Sequence, residues 1–272
     1  MLEQDTIAEA LGVVPSFDVA IEARRRMDFL ATYLRASGRR TYVLGISGGV
    51  DSLAAALLAQ SAVRKLRTTG DEARFIAVRL PYGVQADEHD AQRALGTIQA
   101  DQTLKIDIKP AADAMLESIR LSGVDMGDVG QADFLLGNIK ARQRMIAQFA
   151  VAGATGGLVI GTDHAAEALM GFFTKYGDGA ADILPLSGLN KRRIRALASY
   201  LGAPPDLVGK TPTADLENLA PLRPDEDAYG VTYDQIDDFL EGREIDEAAR
   251  TRILHVHSNT LHKRALPVTP PT

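Results

Sequence analysis

Thr41-Tyr42-Val43-Leu44-Gly45-Ile46-Ser47-Gly48-Gly49-Val50-Asp51-Ser52 leads from an apolar, β-branched run through a glycine pair to an acid, and the helix-forming Leu53-Ala54-Ala55-Ala56-Leu57-Leu58-Ala59 follows at once. Residues 41–46 read as a buried strand of a parallel sheet, since such strands are continuous apolar runs rather than alternating ones. Alanine and leucine are the strongest helix formers. Between strand and helix, Ser47, Gly48 and Gly49 have too little bulk to keep a ligand from the backbone, so successive N–H groups can converge on an anion at a helix N-terminus. The stretch is a phosphate-binding turn.

Working outward, the alternation of strand and helix repeats. Residues 74–80 form a second strand, stopped by Pro81-Tyr82-Gly83, with a helix beginning near Asp87. Residues 104–108 form a third strand, and Pro110 opens the helix after it. Residues 127–131 read as a loop. Residues 132–152 carry Phe134, Leu135, Ile139, Met145, Ile146 and Phe149 at helical spacing, which predicts a helix that is mostly core and whose apolar surface could also meet a second copy of the chain. A fourth strand, 157–161, runs into Thr162-Asp163-His164, where a helix starts. Upstream, residues 16–36 predict an amphipathic covering helix. The pattern defines an α/β fold: a doubly wound, mostly parallel sheet with helices on both faces, whose ligands sit at the carboxyl ends of the strands. There Ser47 to Asp51, Arg79 and Thr162 to Glu167 should meet.

Beyond Leu201 five prolines, at 204, 205, 212, 221 and 224, interrupt a stretch without sustained periodicity until about Tyr229. Loops this long are usually lids or disordered. Residues 203–228 are therefore expected to form a mobile lid, with Lys210-Thr211-Pro212-Thr213 suited to touching phosphate. Residues 234–240 and 247–261 read as closing helices and 267–272 as a frayed tail, the whole making one domain over 1–272. No internal repeat is visible.

Composition narrows the chemistry. The 272 residues are 46% hydrophobic and 24% charged, ordinary for a soluble protein with a full core. A net charge of -6 and a pI near 5.4 argue against a nucleic-acid-coating surface, which needs many Lys and Arg contacts to phosphate. No apolar run is long enough to span a bilayer and the acidic start is unlike a signal peptide, so the expected location is cytoplasmic, with neither membrane nor nucleic acid as partner. The absence of cysteine excludes disulfides, thiolate metal sites and a thiol nucleophile within this chain.

Two familiar nucleotide motifs fail. Gly209-Lys210-Thr211 would end a G-x-x-x-x-G-K-[ST] loop, but position 204 is proline where the first glycine belongs, and no G-x-G-x-x-G follows the first strand. What stands there is S-G-G-x-D-S, which resembles the pyrophosphate loop of the N-type ATP pyrophosphatases, enzymes that split ATP between its α and β phosphates and have the adenine nucleotide alpha hydrolase-like fold. Within that superfamily, Val78 to Gly83, Gly137 to Arg142, Gly161 to Glu167, Gly171 to Gly179, Leu184-Pro185-Leu186, Asn190-Lys191-Arg192 and Pro212 to Leu216 resemble ammonia-dependent NAD synthetase over nearly the whole chain. One departure is Val50, where those enzymes usually carry glutamine.

The resemblance implies a ligase that adenylates the nicotinate carboxylate of deamido-NAD with MgATP, releases pyrophosphate, and lets ammonia displace AMP to give NAD. By the same likeness Asp51 and Glu167 hold Mg²⁺, and Asp51, Lys191 and Thr213 act in catalysis. Gly45, Ile46, Ser47, Gly48, Gly49, Val50, Asp51, Ser52, Arg79, Gln85, Thr162, Lys191 and Thr213 would surround ATP and pyrophosphate. Phe134, Arg142, Lys175, Asp178, Asp182, His262 and Lys263 would hold deamido-NAD. Glutamine-dependent relatives use a cysteine in an added domain; this chain has neither, so ammonia is the expected nitrogen donor. The resemblance also implies a homodimer. Plainer readings exist for single residues: Asp51 and Glu167 could be helix N-terminal acids, Phe134 a core aromatic, Arg142 a surface cation and His262 a tail histidine. His255-Val256-His257 shows no third ligand and is assigned no metal. A tRNA-modifying pyrophosphatase is disfavoured by the acidic charge and the missing cysteines, and a non-enzymatic ATP-binding module would not need Arg142, Lys175 and Asp182.

Overall fold

Four short strands, β1 (Thr41–Gly45), β2 (Arg74–Arg79), β3 (Gln102–Lys105) and β4 (Gly157–Val159), form one sheet in the order β3-β2-β1-β4 in the computed structural model, which describes residues 3–84, 88–213, 216, 218–220 and 222–270. All three pairings are parallel, with Thr41 opposite Arg74 on one side and Gly157 on the other, and Ile76 opposite Gln102. Because side chains alternate across a strand, Tyr42, Leu44, Phe75 and Ala77 enter one core while Val43, Ile76 and Val78 enter another on the opposite face. The sheet is covered on both faces, as the alternating strand-helix pattern requires.

The first face is covered by α2 (Val19–Ala36), α3 (Val50–Thr68), α4 (Glu88–Ile98) and α8 (Lys191–Tyr200), and α1 (Glu3–Ala10) precedes them in the chain. The alanine-rich α3 lies close to the sheet because small side chains permit it, and Leu53 and Leu58 are essentially fully buried, each contributing about 1.5–3 kcal/mol. The Tyr42 hydroxyl donates to the Leu30 carbonyl of α2 at 2.8 Å, satisfying its one polar group in the core. The second face is covered by α5 (Lys109–Leu121) and α6 (Val129–Thr155). A separate core joins α1 and α7 (Ala165–Met170) to α11 (Tyr233–Leu240) and α12 (Glu247–Asn259), with Leu169, Ile236, Phe239 and Ile253 at its centre. The remaining helices are short: α9 (Pro205–Val208), α10 (Asp225–Tyr229) and α13 (Leu261–Arg264).

Several expected boundaries move. The third strand lies at 102–105 rather than 104–108, because Asp107 turns its carboxylate to the N–H groups of Gly83 and Lys109 and ends the regular strand. Ile106 and Ile108 nevertheless keep donating to Arg79 and Pro81, so the chain runs beside β2 past the strand end. The fourth strand stops at Val159 rather than 161; Ile160 pairs with Ile183 instead. The long helix starts at Val129, capped by Asp128, inside the stretch 127–131 read as loop. That helix is also much less buried than its apolar periodicity suggests: Phe134 is 56% exposed and Ile146 52%, and Leu136 and Ala141 are among its few buried apolar residues. A repeating apolar stripe shows that a face seeks cover, not that this chain supplies it. The stretch around the five prolines contains α9 and α10, the closing helix from 247 breaks at Thr260, and α1 and α8 had no counterpart in the periodicity reading. Asp87, the expected start of the second crossover helix, lies outside the described residues; α4 is described from Glu88.

Candidate active site

The carboxyl ends of β1, β2 and β4 open into one cleft, also walled by α6, by residues 210–213 and by α10. Its floor is the turn from β1 to α3. Gly48 has φ +89°, and a Cβ there would come within 3.0 Å of the Ala91 backbone nitrogen, so both conformation and space call for glycine. Gly49 is the helix N-cap with extended backbone and no side chain to cap the first turn. The first N–H groups of a helix have no intrahelical acceptor, which leaves the start of α3 open to an anion. Ser47 and Ser52 meet at 3.1 Å, and Ser47 Oγ accepts from the Gly49 N–H, so the two hydroxyls are gathered at the same place. Val50 lines the cleft but is also part of the core on α3. An apolar residue in the usual place of glutamine is therefore accommodated by packing.

Asp51 and Lys191 are 140 positions apart in sequence and joined in space: Lys191 Nζ donates to Asp51 Oδ1 and Oδ2 at 3.0 and 2.8 Å. The Lys191 side chain is wholly buried at the first residue of α8, with its ammonium 4.7 Å from the centre of the Tyr233 ring. Burial works against charge on both partners, but each holds the other ionised, so Asp51 lies below the usual carboxylate range and Lys191 above the usual amine range. The α8 turn that presents Lys191 is fixed by Asn190 at its N-cap and by Asp237, whose carboxylate accepts from the Lys191 and Arg192 N–H groups. Next to Lys191, Tyr233 donates to Asp225 Oδ2 at 2.9 Å, and Asp225 is pushed up to about 6 by burial.

Glu167 reaches the same spot from the first turn of α7. One oxygen of Asp51, one of Glu167 and a ring nitrogen of His164 lie within 4.8 Å of one another. Two hard carboxylate donors are the ligand type that Mg²⁺ prefers. Beside them burial pushes Asp163 up to about 8, with Glu167 and Asp178 adding to the rise, and pushes Asp178 up to about 6. Asp178 lines the cleft and accepts from the Thr174 N–H at 2.8 Å.

Gly45, Ile46, Ser47, Gly49, Val50, Asp51, Ser52, Arg79, Thr162, Glu167 and Thr213 all border the cleft, and so do Phe134, Asp178 and Lys263 from the second group. Arg79 is buried, with its guanidinium already engaged by the Ile46 carbonyl and by Glu88 at 3.0 Å, so it braces the β1 end. Arg142, Lys175 and His262 lie outside the cleft wall but are chained to it: Arg142 donates to the Lys175 carbonyl, Lys175 to the His262 carbonyl, and Lys263 to the Gly171 and Phe173 carbonyls. Asp182 is turned to the Val159 N–H at 2.7 Å, which makes it a brace for β4 in this state rather than part of the wall. Gln85 lies outside the described residues.

Three groups went unassigned in the sequence reading. Gln148 and Arg144 of α6 border the cleft, and Gln148 Oε1 accepts from the Gly45 N–H at 2.7 Å. Asp133 and Lys140 are buried charges on the same helix; Asp133 accepts from the Asn218 and Leu219 N–H groups, and Lys140 donates to the Leu216 carbonyl and to Asn218 Oδ1, each at 2.7 Å. Their helical i,i+7 spacing was a usable signal. His164 and Asp163 were visible only as part of a motif. Lys210, expected at phosphate, pairs with Asp90 at 2.7 Å.

A parallel α/β sheet with an anion turn, a buried lysine and two carboxylates at its carboxyl edge defines a nucleotide-using enzyme. A model of the NAD synthase family matches residues 22–267. The chain is 62% identical over 263 residues to the NH(3)-dependent NAD(+) synthetase of Burkholderia pseudomallei (strain 1106a), covering 97% of this chain and 93% of that protein. Its fold superposes on a crystal structure of NAD+ synthetase from Burkholderia pseudomallei with a TM-score of 0.85 at 60% identity, covering 97% of this chain and 96% of the other. It also matches the NMN synthetase of Francisella tularensis with a TM-score of 0.82 at 35% identity, over 94% of this chain and 100% of that one. The chain belongs to the NAD synthase family.

Proposed function

We infer that this chain catalyses the ATP-dependent amidation of deamido-NAD to NAD by ammonia, with AMP and pyrophosphate released. The observation that carries the reading is the anion turn of residues 47–52 ending on Asp51, tied to Lys191 and facing Glu167, in a chain 62% identical to an NH(3)-dependent NAD(+) synthetase.

A carboxylate resists attack by ammonia because it has no good leaving group. Adenylation removes the obstacle: a nicotinate oxygen attacks the α-phosphorus and the bond to pyrophosphate breaks. Ammonia then adds to the acyl carbon, the C–O bond breaks, and AMP departs with that oxygen. The N–H groups at the start of α3 with Ser47 and Ser52 receive the leaving pyrophosphate. Lys191, held in place by Asp51 and the Tyr233 ring, supplies a fixed positive charge for the phosphates, with Thr213 and Thr162 completing the nucleotide pocket. Asp51 and Glu167 fit Mg²⁺, which would neutralise phosphate charge there. Ammonium must lose one proton before it attacks and the amide nitrogen another afterwards; Asp178, raised to about 6 and on the cleft wall, is suited to accept one. Phe134 offers a ring face to the nicotinate, and Arg142, Lys175 and Lys263, with His262 beside them, form the polar patch for the dinucleotide phosphates.

Residues 203–228 serve as the cover of this site. Asp133 and Lys140 clasp Leu216, Asn218 and Leu219, and Thr213 pairs with Pro224 at its base. The exposed apolar face of α6, with Ile146 and Phe149, supports a homodimer in which two such faces meet. Among the described residues no helix is long and apolar enough to cross a membrane; we take residues 1–272 as one catalytic domain working in the cytoplasm.

The test is an incubation with MgATP, deamido-NAD and either ammonium or glutamine, following NAD, AMP and pyrophosphate. Equal amounts of all three products with ammonium, and none with glutamine, are expected. Pyrophosphate without NAD, or no turnover with ammonium, would contradict the reading.

A further inference from the structure

His164 stands at the centre of the carboxylate cluster with no role in the scheme above. Its side chain is 0% exposed, and its Nε2 lies 3.6 Å from Asp51 Oδ1 and 3.5 Å from Glu167 Oε1, close to both but within a formed hydrogen bond to neither. The other ring nitrogen is engaged: Nδ1 accepts from the Glu167 N–H at 3.4 Å and caps the N-terminus of α7. A nitrogen that accepts carries a lone pair, so in the neutral ring the proton sits on Nε2.

We propose that His164 is a positioning residue, a donor whose Nε2–H fixes the orientation of Asp51 and Glu167, and not a third ligand beside them. The proposal rests on Asp51 and Glu167 being the residues that hold the divalent cation. To act as a ligand, Nε2 would need the lone pair, which moves the proton to Nδ1 and breaks the cap on α7. A hard cation also prefers oxygen to imidazole. Each contact is longer than a good hydrogen bond, so a small movement lets the N–H serve either acid while the remaining oxygen lone pairs face the cleft. The backbone supports this: Ala165 N–H donates to the Leu189 carbonyl at 2.8 Å, tying the His164 segment to the turn that presents Lys191. One ring thus sits between the starts of α3, α7 and α8.

Two substitutions separate the two ends of the ring. His164→Asn keeps an acceptor for the Glu167 N–H and removes the Nε2 donor; His164→Gln places an amide donor near the Nε2 position and gives up the cap. The probe is Mn²⁺ bound to the full-length protein with α,β-methylene-ATP, read by electron paramagnetic resonance. Outer donors to metal-binding carboxylates typically affect affinity by about 10–100-fold. Binding is expected to weaken by about that factor in His164→Asn and by less than about fivefold in His164→Gln, with both variants folded by circular dichroism. In wild-type protein labelled with ¹⁵N-histidine, no nitrogen coupling to Mn²⁺ is expected. A ¹⁵N coupling, or wild-type affinity in His164→Asn, would overturn the proposal. Glu167→Gln is the control for the underlying reading. If Mn²⁺ binds that variant as tightly as the wild type, the cation is held elsewhere and the proposal falls with the site, a result distinct from failure of His164 alone.

Discussion

The two ends of the cleft are built on opposite plans. At the ATP end, Asp51, His164, Glu167 and Lys191 stand on the starts of three helices packed against the sheet or the second core, and Lys191 and His164 are fully buried. Their geometry is set by folding before any ligand arrives. At the end we assign to the dinucleotide, Arg142, Lys175 and Lys263 come from α6, a loop and the C-terminal α13, and their side chains are steadied by backbone carbonyls, that of His262 among them. Cations whose partners are carbonyls can exchange them for phosphate oxygens at little cost, whereas a buried ion pair cannot lose a member without leaving a charge unpaired. One end is preorganised for chemistry and the other is adaptable for binding.

The contrast predicts effects of different kind and size. Asp51→Asn leaves the buried Lys191 ammonium without its partner and is expected to destabilise the protein by about 3 kcal/mol as well as abolishing turnover. Asp51→Asn combined with Lys191→Met should regain most of that stability and none of the activity. Denaturant melts of both variants check this, and equal stability of the single and double variants would break the contrast. At the other end, Lys175→Met should raise KM for deamido-NAD by about tenfold with kcat and melting temperature little changed, the pattern of lost uniform binding. A fall in kcat alone would move Lys175 into the chemistry.

A further expected effect concerns pH. Asp163 is raised to about 8 from a usual 3.8, so below about pH 4 both folded and unfolded chains carry its proton. Between those values the folded chain keeps a proton that the unfolded chain releases, and stability falls as pH rises until it levels off above 8. Asp163→Asn removes that dependence. In metal-free buffer its melting temperature should gain on the wild type from pH 5 to pH 9; a constant difference would mean that Asp163 is not held protonated.

Local spacing carried most of what the sequence revealed. The strand, the glycine pair and Asp51 lie within twelve residues, so the phosphate turn and the parallel sheet were legible from propensity and bulk. The two acids proposed to hold the cation fell at strand-to-helix junctions, where the topology sends ligands. What stayed hidden is long-range or depends on partners. Lys191 meets Asp51 across 140 positions. Asp107, by capping instead of pairing, shifted the third strand, and α6 keeps apolar side chains on surface that no described residue covers. His164 was quoted in a motif without a role, because only the fold shows that its ring lies between two carboxylates. Its three-residue spacing from Glu167, at the start of a helix, was the available signal.

The central claim is that ATP is cut so that a nicotinate oxygen leaves with AMP. Deamido-NAD labelled with ¹⁸O in the nicotinate carboxylate, turned over with MgATP and ammonium, tests it directly by mass spectrometry of the products. One ¹⁸O atom in the AMP phosphate for each NAD formed is the predicted result. Unlabelled AMP, or label in pyrophosphate or inorganic phosphate, would contradict it.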